Sequence, residues 1–172
     1  MRNWYSMQAL AAPNAAEISI YDEIGMWGVT AKQFISDLKA LGDVKDITVS
    51  INSPGGSVFD GLTIYNALRA SGANVTVKVM GIAASIASII AMAGKKIIMP
   101  ENTFMMIHNP LNVIYGNADD MREMADILDK VGSSLVATYD TLSYARSVEV
   151  AGEHDYVADD ASGLLVTSIA HQ

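Results

Sequence analysis

Two hydrophobic periods alternate along this chain of 172 residues. Period-two or continuous β-branched runs predict strands at Glu17–Tyr21, Asp46–Ile51, Asn74–Met80, Lys96–Pro100 and Thr103–His108, and a short strand-like piece at Asp155–Val157. Between them the spacing turns helical. Phe34, Ile35, Leu38 and Leu41 share one face of a helix predicted over Thr30–Leu41, with Thr30 as N-cap. A second helix is predicted over Asp60–Ser71, ending at Gly72, and a buried one over Ser85–Ala93. A long helix is predicted from Ala118 to Tyr144, its start marked by Asp119 and Asp120, which suit the positive end of the helix dipole. Residues 1–15 read as a loose, small and polar arm, Asn109–Asn117 as a flexible polar segment, and Ala161–Ile169 as the closing segment. Strands and helices in alternation predict an α/β layered fold with mostly parallel strands and crossover helices. No repeat or linker divides it, so residues 1–172 are expected to form one domain.

Composition narrows the function classes. The chain is 51% hydrophobic and only 17% charged, which is apolar for a monomer of this size and suggests surface buried between subunits. Net charge is −8 and the densest basic pair is Lys95-Lys96, so neither nucleic acid nor an anionic membrane is an expected partner: phosphate neutralisation needs clustered cations. The absence of cysteine excludes disulfides, thiolate nucleophiles and zinc–cysteine sites. The most apolar stretch, Val75–Ala93, contains Lys78, Gly81 and two serines, and reads as strand plus buried helix rather than a membrane span. No signal-like apolar core follows Arg2, so a cytoplasmic location is expected.

Three clusters carry chemistry. Gly81-Ile82-Ala83-Ala84-Ser85-Ile86-Ala87-Ser88 places a serine at a strand-to-helix junction among residues too small to shield it. The N–H of Ile86, at the helix start, is free to bind an oxyanion. Alone, such a run also fits close helix packing. Asn52-Ser53-Pro54-Gly55-Gly56-Ser57 is a turn whose glycines can present backbone N–H groups to a cleft, but it lacks the ending of a phosphate loop. His108 ends an apolar run before Asn109-Pro110, where the chain must leave the sheet. An acid is needed to orient its imidazole. Glu153, Asp155, Asp159 and Asp160 lie near the C-terminal strand, and Glu153 and Asp155, two apart, share one face of an extended segment.

In this order and spacing the motifs resemble the proteolytic subunit of the Clp protease, and more closely the ClpP-like proteases of phages and prophages that process head proteins. The likeness runs from Glu17 to Ile169 and is densest at Ile51–Gly61, Gly81–Ala87 and Met106–Pro110. It implies a ClpP/crotonase-like spiral of βαβ units with a protruding strand–helix handle over residues 110–144. It implies Ser85 as nucleophile, His108 as general base, and the N–H groups of Gly56 and Ile86 as oxyanion hole. Gly55, Ser57 and Val58 would line the strip that pairs with substrate backbone. Asp155 or Glu153 would be the third triad member. Asp155 is favoured by residue type and the following Tyr156; Glu153 is favoured by counting back from Ala158-Asp159-Asp160-Ala161 without gaps. The resemblance implies a peptide or protein substrate, no cofactor and no metal, and a homo-oligomeric ring or stacked rings. An ATPase unfoldase partner stays open, because the residues of an axial gate are not recognisable. Two other readings fit parts of the pattern. A crotonase-like acyl-CoA enzyme would share the spiral core and backbone oxyanion hole but rely on carboxylates. An inactive assembly protein would keep the fold alone.

Overall fold

The computed structural model describes residues 3–12, 14–25 and 29–140 (backbone alone for 139 and 140), and the backbones of strands at 147–150, 153–159 and 163–169. Among the described residues nine strands and four helices follow in the order β1 (Tyr5–Ala9), β2 (Ala15–Tyr21), α1 (Ala31–Ala40), β3 (Asp46–Ser53), α2 (Val58–Ala70), β4 (Asn74–Ala84), α3 (Ile86–Ala91), β5 (Lys96–Met99), β6 (Phe104–Ile107), α4 (Ala118–Asp140), β7 (Ser147–Val150), β8 (Glu153–Asp159) and β9 (Gly163–Ile169). The main sheet path is β1-β2-β3-β4-β6-β9-β8; β5 pairs with β4, and β7 with β5. The pairs β2–β3, β3–β4, β4–β5 and β4–β6 are parallel, and the sheet becomes antiparallel at β1 and at β9–β8.

Alternation along the central strands explains the core. Parallel pairing aligns Ala16–Ile47–Val75, Ile18–Val49–Val77 and Ile20–Ile51–Val79 as three apolar rows. All nine are buried, and all but Ala16 share one core with Phe34 and Leu38 of α1, Ile64 and Leu68 of α2, and Ile86, Ile89 and Ile90 of α3. The intervening rows, Glu17–Thr48–Thr76–Lys96 and Ser19–Ser50–Lys78–Ile98, line the opposite face. A parallel sheet flanked by helices on both faces carries continuous apolar runs; this one is apolar on a single face, as its period-two sequence dictates.

The loose arm expected over residues 1–15 is a correction. Residues 5–9 form β1, antiparallel to β2 with Tyr5 opposite Ile20. The cause is aromatic: Trp4 is fully buried, stacks on Phe34 at 6.1 Å and donates its indole N–H to Val29 O at 2.8 Å. The edge of Tyr5 meets Phe34 at 5.1 Å, and its hydroxyl donates to Asp37 Oδ2 at 2.6 Å. Burying three rings offsets the entropy of ordering this short segment.

Helix boundaries shift for local reasons. Thr30 takes the N-cap position of α1 but makes no side-chain cap; Asp60, on α2, accepts from Ala31 N at 2.9 Å instead. Helix α2 starts before Asp60 because Ser57 caps it, accepting from Asp60 N at 3.3 Å. Asn117 Oδ1 caps α4 by accepting from Asp119 N at 2.8 Å and Asp120 N at 3.1 Å. No helix among the described residues is long and apolar enough to cross a membrane.

Burial and the neighbouring Asp37 carboxylate push the Tyr5 phenol well above its ordinary range. The folded state therefore holds this proton more tightly than the unfolded chain does. The stabilisation is complete below the ordinary tyrosine pKa of about 10 and is lost as pH rises beyond it. Tyr5→Phe is expected to cost about 1.5–3 kcal/mol at neutral pH, the worth of a hydrogen bond to a charged group. Between about pH 9 and about pH 11 the wild type should lose stability more steeply than this variant, as read by urea unfolding.

Candidate active site

Strand β4 has two partners in succession. Thr76–Lys78 pair with Lys96–Ile98 of β5, whereas Ile82–Ala84 pair with Phe104–Met106 of β6. The change coincides with an irregularity against β3: Ile51 pairs with Val79 and Ser53 with Ala83, so Asn52 alone faces Met80, Gly81 and Ile82. Extra residues on one strand bend it and sharpen its twist. The Asn52 side chain repairs the broken ladder, its Oδ1 accepting from Ile82 N at 3.2 Å. The bend carries the end of β4 onto β6.

Ser85 follows directly, and Ser85 N donates to Met106 O at 2.8 Å. Its backbone is strained, with φ 54° and ψ −128°, a region that L-residues other than glycine rarely occupy. Helix α3 begins one residue later, so the chain turns at Ser85 itself. The expectation of a helix starting at Ser85 thus becomes a sharp turn with the serine at its apex. Ser85 and His108 are both half-buried. His108 sits just beyond β6, two residues after the Met106 carbonyl that receives the Ser85 N–H. Both side chains therefore emerge at the carboxyl ends of adjacent parallel strands, the edge where open α/β sheets build their sites.

The glycine turn occupies the same edge. A Cβ on Gly55, which has φ +104°, would lie 2.7 Å from Ser85 Cβ and 2.8 Å from Ala84 O. A Cβ on Gly56, at φ +140°, would run into the Ile24 carbonyl. Only glycines allow this strip to lie between Ile24 and Ser85. Ile24 N donates to Gly55 O at 2.7 Å and Ser57 N donates to Ile24 O at 3.0 Å. In a parallel bridge of this kind the residue between the two bonded groups, Gly56, turns its own N–H away from that partner. Gly56 is exposed, and its N–H faces away from Ile24. Buried Ser53 locks the strip, donating to Asp22 O at 2.7 Å and accepting from Gly55 N at 3.1 Å.

Ser85, His108, Gly55, Gly56, Ser57, Val58 and Ile86 thus converge on one edge of the sheet. Glu153 and Asp155 lie on β8, separated from β6 by β9. Asp155 pairs with Thr167, which pairs with Phe104, while Ala158 shares a row with Leu164 and Ile107. The side chains of both acids, and hence the choice between them, lie outside the described residues. Sequence reading missed Ile24, Asn52 and Ser53 as builders of the site. The polar pair Asn52-Ser53 directly before Pro-Gly-Gly was the available signal.

Replacing Ser85 with Gly removes the steric cost of its positive φ, whereas Ala retains it. Ser85→Gly is expected to be more stable than Ser85→Ala by about 1–2 kcal/mol, the reverse of the order inside a helix, in urea unfolding.

The sequence profile of the Clp protease family matches residues 3–159. The ATP-dependent Clp protease proteolytic subunit of Ligilactobacillus salivarius is 44% identical over 92 residues, 52% of this chain and 46% of the relative. That of Porphyromonas gingivalis is 35% identical over 117 residues, 65% of this chain and 52% of the relative. The chloroplastic subunit 3 of Arabidopsis thaliana is 39% identical over 99 residues, 54% of this chain and 32% of the relative. The chain spans about half the length of the first two relatives, or less. With a profile match over nearly its whole length, the chain belongs to the Clp protease family.

Proposed function

We propose that this chain is a serine endopeptidase domain acting through an acyl-enzyme. One observation carries the reading: a strained Ser85 at the carboxyl edge of β4, next to the strand that leads into His108 and against a glycine strip whose Gly56 N–H faces away from Ile24. His108 takes the hydroxyl proton as Ser85 Oγ attacks the scissile carbonyl. The negative oxygen of the tetrahedral intermediate is held by the N–H groups of Gly56 and Ile86. His108 then passes the proton to the leaving amine, and a water activated by the same imidazole hydrolyses the ester. Asp155 or Glu153 holds the imidazole tautomer and stabilises its charged form. Substrate lies extended along Gly55, Ser57 and Val58, adding a strand to that edge.

The same reading makes the domain a ring-forming subunit. In the segment before α4, Leu111 is 72% exposed, Val113 92%, and Tyr115 fully exposed. Met121, Ile127 and Val136 extend this apolar surface along α4. Alternating apolar positions followed by a helix with further exposed apolar side chains suit a handle that buries itself against a second copy. A chamber closed in this way restricts cleavage to chains that can enter it. Processing of head proteins, without an unfoldase, is the role we favour for it. The ATP dependence printed in the relatives' names describes those proteins.

A fluorophosphonate should label the wild type covalently at Ser85 and leave Ser85→Ala untouched. Peptide hydrolysis should fall by about four orders of magnitude or more in that variant, with the sedimentation profile unchanged. Cleavage by Ser85→Ala would remove the nucleophile assignment, and ring formation without labelling would mark an assembly protein. Val113→Asp combined with Tyr115→Asp is expected to shift the sedimentation coefficient towards smaller species, since it places charge on the apolar handle.

A further inference from the structure

Ser88 is a fully buried hydroxyl one turn into α3 that takes no part in the chemistry above. It donates through Oγ to the carbonyl oxygen of Ser85, and its backbone N–H reaches the same oxygen at 3.0 Å. The Ser85 carbonyl belongs to the peptide plane that also carries the Ile86 N–H. In a trans peptide the C=O and the N–H point in opposite directions. Pulling the Ser85 carbonyl into the helix therefore directs the Ile86 N–H the opposite way, out of the helix start. The preceding peptide plane is pinned separately, by Ser85 N donating to Met106 O at 2.8 Å. The strained φ and ψ of Ser85 are thus held by one bond on each side, which is what a backbone in a sparsely populated region needs in order to persist.

We propose that Ser88 is a positioning residue for the oxyanion hole: its hydroxyl fixes and polarises the 85–86 peptide, so that the Ile86 N–H is aimed before any substrate arrives. This inference rests on the peptidase reading and deepens it. A hydrogen bond accepted by an amide carbonyl makes the N–H of the same amide a stronger donor, because bonds in a chain polarise one another. The gain is felt where negative charge develops, so it appears in the transition state and not in the binding of ground-state substrate.

The test is the kinetics of fluorophosphonate labelling, followed as a function of probe concentration. Ser88→Ala should lower the maximal labelling rate about five- to tenfold, the effect of one hydrogen bond, and leave the half-saturating probe concentration unchanged. Ser88→Cys, similar in shape with a weaker donor, should fall between alanine and wild type. A residue that merely fills space would move the unfolding midpoint and leave the maximal rate alone. Wild-type labelling kinetics in Ser88→Ala, or a change confined to the half-saturating concentration, overturns the positioning role while the peptidase reading stands. A wild type that is not labelled at all removes the peptidase reading, and this role with it.

Discussion

Everything at the candidate site follows from β4 leaving one neighbour for another. Its first half is clamped between β3 and β5, and its second half between β3 and β6. Three residues of β4 stand opposite Asn52, and the strand cannot accommodate them without bending. Without the bend, Ser85 would continue towards β5 and have no relation to His108. With it, the Met106 carbonyl receives the Ser85 N–H, and the serine and histidine leave the sheet at the same edge. The Asn52 side chain supplies the acceptor that the bend takes from Ile82, so the ladder loses regularity without orphaning that donor.

The site is assembled mainly from backbone, and this explains its demand for small residues. Gly55 and Gly56 lie between Ile24 and Ser85 with no room for a Cβ on either. Hydroxyl and amide side chains, those of Asn52, Ser53 and Ser88, serve as fasteners for peptide planes. Aimed main-chain donors cost no reorganisation when charge appears, which is the property that an oxyanion site requires. The strain at Ser85 is the other side of this arrangement. It is tolerated because α3 is entirely buried and the two flanking peptides are bonded.

Distribution of apolar surface separates two parts of the molecule. The rows from Ile18 to Val79 share one core with α1, α2 and α3. The segment ahead of α4 and much of α4 itself leave Val113, Tyr115 and Met121 in the open, while Leu135 reaches the core. The 51% hydrophobic content is thus divided between a filled interior and apolar side chains left exposed ahead of and along α4.

Periodicity alone located most of the elements, because alternation and helical spacing are local properties and both survive in the folded chain. The central strands, the helix face of Phe34 and Leu38, the helix around residues 60–71, and the motifs around Ser85 and His108 could be read from residues near one another in sequence. Tertiary structure decided the rest, wherever the partner is distant. Residues 5–9 became a strand because Trp4 and Tyr5 meet Phe34. The N-terminus of α1 is capped from α2 by Asp60 rather than by its own Thr30. The outward aim of Gly56 depends on Ile24, and the meeting of Ser85 with the end of β6 depends on a register change that no single segment encodes. Patterning specifies which face of each element is buried; which elements meet, and at what register, is settled only when all of them compete for the same core.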